Sequence, residues 1–195
     1  MNRSLDTLAL FALSGVLLVA FYYQIVLSEL PCPLCALQRV GFIVAGAGLI
    51  LNLRVGFSPA HYGLVLLTAV AAGGASLRQI ALHIVPGTGH YGSALFGIHF
   101  YTWAFVGYGA LVVYVGVMLL LGARASAHEP EGRMTERAAR RYSNGRVPRS
   151  GPLAALACWL FVALAAANAA SFLLECGFGP CPDNPVGYLL WPGTR

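Results

Sequence analysis

The 195-residue chain has no lysine and little charge of either sign: charged residues make up 10% of it, against 58% hydrophobic. A water-soluble domain needs a charged surface over its core, so this shortage excludes a single soluble globule. With a mean hydropathy of +0.71, the chain reads as an integral membrane protein. Other absences narrow the chemistry. There is no C-x-x-C…H spacing for structural zinc, no phosphate-binding glycine loop, no internal repeat and no nucleic-acid module. No small-residue cleavage site precedes Glu29-Leu30-Pro31-Cys32, so the first apolar run reads as a retained helix rather than a signal peptide. Every basic residue is Arg, and physical chemistry offers no reason for that.

What the chain does have is five apolar runs, roughly 8–27, 37–53, 62–82, 100–121 and 153–174. Each is long enough, or nearly so, to cross about 30 Å of hydrocarbon as a helix. The stretch between the fourth and fifth runs carries Arg124, Arg133, Arg137, Arg140, Arg141, Arg146 and Arg149 against Glu129, Glu131 and Glu136. The positive-inside rule makes this stretch cytoplasmic, and its lack of apolar periodicity predicts a solvated connector. The N-terminus and the Arg54 turn then also face the cytoplasm. Cys32, Cys35, the 83–99 connection and everything after residue 174, including the C-terminus, face outward. The expected organisation is a four-helix core over 1–122, an Arg-rich loop over 123–151, and a fifth helix with a tail over 152–195.

This topology puts Cys32, Cys35, Cys176 and Cys181 on the outer, oxidising side. Cys158 lies near the cytoplasmic side, about 25 Å of helix from Cys176, and reads as a small apolar packing residue. A second helix starting at Pro31-Cys32-Pro33-Leu34-Cys35 puts Cys32 near its N-cap, Pro33 at the first helical position and Cys35 in the first turn. The positive end of the helix dipole there favours thiolate. A structural disulfide or half of a metal site has the same spacing, but so small a loop adds little as a staple, which favours redox chemistry. Cys176-Gly177-Phe178-Gly179-Pro180-Cys181 forms a second short loop, with a tail disulfide of no further function as its plainer reading. The run 186–191, with Tyr188 and Trp191, is suited to lie at the membrane interface.

Cations inside apolar runs are expensive and point to function unless they snorkel to the interface. Arg39 follows Cys35 by one helical turn on the same face, and Arg78 opens a second polar group with Gln79 and His83. His99 and Trp103 begin the fourth run at the same expected depth. Polar groups converging beside a dithiol predict a site for a flat, polar-headed apolar ligand.

Together, Cys32-Pro33-Leu34-Cys35-Ala36-Leu37-Gln38-Arg39, Arg78-Gln79 and the Gly97…Trp103 stretch resemble the DsbB family of disulfide-bond formation proteins, over roughly residues 5–122. The resemblance implies an all-α membrane protein, a DsbB-like four-helix bundle here carrying one additional C-terminal helix. It implies an inner-membrane thiol:quinone oxidoreductase that reoxidises a periplasmic, DsbA-like thioredoxin-fold partner and passes electrons to ubiquinone or menaquinone. Cys32–Cys35 would be the quinone-coupled pair, with Cys35 nearest the ring and Arg39 in contact with it; Arg78, Gln79 and His83 are carried over beside them. The chain departs from the family in lacking a cysteine pair between the third and fourth spans. Cys176 and Cys181 stand as the replacement. Two other classes fit the residues: a membrane metal-handling protein using Cys and His ligands, and a structural subunit with permanent disulfides.

Overall fold

Proline begins three of the helices, at the first turn, where its missing N–H breaks no hydrogen bond. In a computed structural model that describes residues 2–127, 151–182 and 185–191, these are α2 (Pro33–Arg54), α3 (Pro59–His83) and α5 (Pro152–Cys176). They join α1 (Asn2–Ile25) and α4 (Phe100–Ala127). All five are long and apolar enough to cross a membrane, so the molecule is an all-helical, multi-pass membrane protein. The helix α4 runs a turn past the expected start of the Arg-rich loop, and the rest of that loop, 128–150, lies outside the described residues.

The helix α2 packs along α3, and α3 along α4; α1 lies against α2, and α5 against α1 with a smaller contact to α2. The added helix thus flanks the α1–α2 side of the bundle. Lipid tails give apolar helices no reason to associate, so close contact depends on small residues. A Cβ at Gly46 of α2 would overlap the Phe161 ring of α5, and one at Gly41 would overlap the Tyr108 hydroxyl of α4 and Ala72 of α3. Leu10, Leu17, Leu49, Val65, Tyr108, Met118 and Phe161 form the core.

Buried polar groups tie the ends. At the end opposite the cysteine pairs, the hydroxyls of Tyr62 (2.7 Å) and Tyr114 (2.6 Å) both donate to Asp6 Oδ1, joining α3 and α4 to α1. At the cysteine-bearing end, the 83–99 connection contains a two-residue hairpin of β1 (Ala94–Leu95) and β2 (Ile98–His99). Phe96 and Gly97 both have positive φ, 54° and 77°, as a primed turn requires. Phe-Gly is a weak turn signal, so the sequence showed only a glycine-rich connection here.

Candidate functional site

Cys32 is the N-cap of α2, in extended conformation, with Pro33 behind it. Its Sγ accepts a hydrogen bond from the Cys35 amide at 3.1 Å, so the helix start that the spacing predicts is the one observed. Cys32 and Cys35 are joined as a disulfide with Cα atoms 5.0 Å apart. Beneath it lies an amide relay. Gln79 Nε2 of α3 faces both sulfurs, at 3.4 Å from Cys32 and 3.6 Å from Cys35. Gln38 Nε2 holds Gln79 Oε1 at 2.8 Å, and the Tyr108 hydroxyl donates to the Gln38 carbonyl. All three side chains are buried, so the donor at the sulfurs is held in place.

Beside the disulfide, α1, α2, α4 and the 91–95 loop enclose a cavity of about 540 Å³ lined by Cys35, Arg39, Tyr23, Phe100 and Trp103, among others. Its walls are mostly apolar side chains, with polar groups from Arg39, Glu29, Gln38 and the tyrosines and one sulfur, of Cys35. That lining fits an apolar ring bearing polar oxygens. The loop that closes it is tethered: Ser93 N donates to Glu29 at 3.1 Å, and Tyr91 donates to the Leu30 carbonyl at 2.9 Å. Burial, then the Glu175 and Glu29 carboxylates, push the Tyr91 phenol above its ordinary pKa, so it stays a donor.

Arg39 reaches from α2 to α1. It donates to Gln24 Oε1 at 2.5 Å and to the Ala20 carbonyl at 3.2 Å. Glu175, at the end of α5, is 1% exposed; its charge interacts with Arg39, and its Oε2 has no hydrogen-bond partner among the described residues. Cys176 follows it and is joined to Cys181 as a disulfide with Cα atoms 4.5 Å apart. Gly177, with φ of +62°, ends α5 and turns the chain. The tail then folds back, with Leu190 N donating to the Leu174 carbonyl at 3.0 Å, so it lies against the bundle as its aromatic residues suggested.

Of the residues singled out from the sequence, Cys35, Arg39 and Trp103 line the cavity, and Cys32 adjoins it through the disulfide. Trp103 is held by a bond from Nε1 to the Leu95 carbonyl at 3.0 Å. Gln79 sits under the sulfurs instead of in the cavity wall. Arg78 is exposed on α3 and does not line the cavity. Nor do His83 and His99, which stack on Tyr101 with ring centres 5.5 and 5.3 Å away. Cys158 is a free thiol buried in the core, away from the other cysteines. Gln24 and Glu175 were not expected at the site, and Gln38 was expected only as part of the motif around the cysteines. Their signal was there: Gln24 and Gln38 are polar residues within apolar runs, and Glu175 directly follows one.

Residues 2–91 match the family model of the disulfide bond formation protein DsbB. Among curated proteins, disulfide bond formation protein B of Marinobacter nauticus is 44% identical over 91 residues, covering 44% of this chain and 53% of the relative. That of Chromobacterium violaceum is 37% identical over 89 residues (44% and 54%), and that of Hahella chejuensis 34% over 91 (44% and 54%). The chain spans about half the length of the curated relatives it matches. No solved structure matches. The family resemblance is borne out for α1 to α3, the helices that carry Cys32, Cys35, Arg39 and Gln79; the family match ends before α4.

Proposed function

We infer from the DsbB match over residues 2–91 that the protein is a membrane thiol:quinone oxidoreductase supporting disulfide-bond formation. The observation that carries this reading is that Cys35 and Arg39, one helical turn apart, line a single apolar cavity beside the Cys32–Cys35 disulfide. The net reaction is a partner dithiol plus a quinone giving a partner disulfide plus a quinol. A quinone bound in the cavity supplies the two-electron acceptor, ubiquinone and menaquinone having the same chemistry here. Arg39 would hold its oxygen and favour negative charge there, and Trp103, Phe100 and Tyr23 would pack its ring.

The thiol steps belong to this chain. A thiolate of a reduced thioredoxin-fold partner of the DsbA type attacks the Cys176–Cys181 disulfide and forms a mixed disulfide, which the partner's second thiol resolves. The reduced tail pair then passes its electrons by the same exchange to Cys32–Cys35. Gln79 stabilises the thiolate that develops there, and the start of α2 adds its dipole. The arginine-rich stretch 124–149 supports a cytoplasmic side for that loop and a periplasmic side for both cysteine pairs, in a bacterial inner membrane.

The test is quinone reduction by the purified protein with a reduced thioredoxin-fold donor and a short-chain quinone. One quinol should form per donor disulfide. Arg39→Ala should raise the apparent KM for quinone about tenfold, the worth of one charge-assisted hydrogen bond. Stoichiometric bound metal with no quinone reduction would favour the metal-handling reading. Disulfides that resist both the donor and quinone would favour the structural one.

A further inference from the structure

Gln24 is 2% exposed, and both ends of its amide are in use. Its Oε1 accepts from Arg39; its Nε2 donates to Ser171 Oγ at 2.6 Å and to the Tyr188 hydroxyl at 3.1 Å. Ser171 lies on α5 and Tyr188 on the tail that follows the second disulfide, both beyond the family match. The two contacts are 147 and 164 residues from Gln24 in sequence, so only the docking of the added segment makes them.

We propose that Ser171 and Tyr188 are positioning residues for Arg39, acting through Gln24. A guanidinium can only donate, so Gln24 serves Arg39 only with its oxygen turned toward it. In that orientation the amide N–H groups face away, into a buried site where they need acceptors. The two hydroxyls are those acceptors. Without them, the buried N–H groups are unsatisfied and the amide is no longer held in that orientation, which weakens one of the two acceptors, the other being the Ala20 carbonyl, that hold the guanidinium beside the cavity. The fifth helix therefore serves the cavity as well as carrying the second cysteine pair. This rests on the reading of the cavity as a quinone site.

The test is equilibrium binding of a short-chain ubiquinone to the oxidised, full-length protein, followed by quench of tryptophan fluorescence, with the KM for the same quinone measured alongside using dithiothreitol as donor. The Ser171→Ala/Tyr188→Phe double variant should bind about five- to tenfold more weakly and show a matching rise in KM with kcat unchanged. Ser171→Thr, which keeps the hydroxyl, should bind as the wild type does. In an Arg39→Ala background the double change should have no further effect, because the residue it acts through is gone. Wild-type binding by the double variant overturns the proposal. So does a loss of equal size in the Arg39→Ala background, which would mark the two residues as structural. A wild-type protein that neither binds nor reduces the quinone defeats the underlying quinone-site reading, and this proposal with it; normal wild-type behaviour with an unaffected double variant defeats the positioning role alone.

Discussion

Gln79 was expected in the ligand site, yet its amide lies under the sulfurs of Cys32 and Cys35, fixed by Gln38. A neutral N–H aimed at a disulfide contributes little. The same N–H aimed at a thiolate is a charge-assisted hydrogen bond, so its effect falls on the reduced state, where the reaction needs it. Gln79→Leu should leave the fold in place and slow alkylation of the reduced pair at fixed pH by about tenfold, equivalent to ~1.4 kcal/mol. Equal alkylation rates in the two proteins would assign Gln79 a packing role only. Cys158 makes the contrasting case. It is a free thiol buried in the core, so Cys158→Ala should leave the proposed donor-to-quinone electron transfer at the wild-type rate. Loss of transfer in a folded variant would mean that the fifth helix sits in a different register.

Among the helices, the added one lies mainly against α1 and also approaches α2 closely at Gly46. The Phe161 ring occupies the space where any other residue's Cβ would go. Gly46→Ala should therefore lower the thermal stability of the bundle, by about 1–3 kcal/mol for an overpacked contact. Adding Phe161→Ala should recover part of that loss, and additive losses would show that the two residues do not meet. At the other end, Asp6 is the shared acceptor for two tyrosines from two helices. Asp6→Ala leaves a buried and a half-buried hydroxyl without their acceptor and should cost about 2–4 kcal/mol, whereas Tyr114→Phe removes only one donor and should cost about 1 kcal/mol. Comparing the two by thermal unfolding checks whether the clasp works through the carboxylate.

For the molecule as a whole, the proposed electron transfer requires the two cysteine pairs to meet. The tail folds back so that Tyr188 reaches α1, and Glu175 beside Cys176 interacts electrostatically with Arg39 on α2. Both cysteine pairs thus belong to one end of the bundle. Cys181→Ser should trap a mixed disulfide of Cys176, with the partner or with Cys32, seen as a reductant-sensitive band on a non-reducing gel. If the variant oxidises the partner at the full rate and no such band forms, the tail pair is bypassed and the partner reacts directly with Cys32–Cys35.

Hydropathy along the chain determined the five membrane-crossing helices, because crossing the bilayer depends on run length and apolarity, both local properties. The Pro31–Arg39 stretch likewise determined the N-cap at Cys32 and the one-turn offset of Arg39, since cap geometry and helical spacing act over a few residues. Only the tertiary structure decided which polar residues meet. It put Gln79 under the sulfurs, left Arg78 on the outside, turned His83 and His99 toward Tyr101, and brought Gln24, Ser171 and Tyr188 behind Arg39. The physical reason is that helices in a membrane present apolar faces of nearly equal hydropathy. What sets their rotation is close packing at residues such as Gly41 and Gly46 and hydrogen bonds between segments far apart in sequence, and neither leaves a periodic mark along the chain.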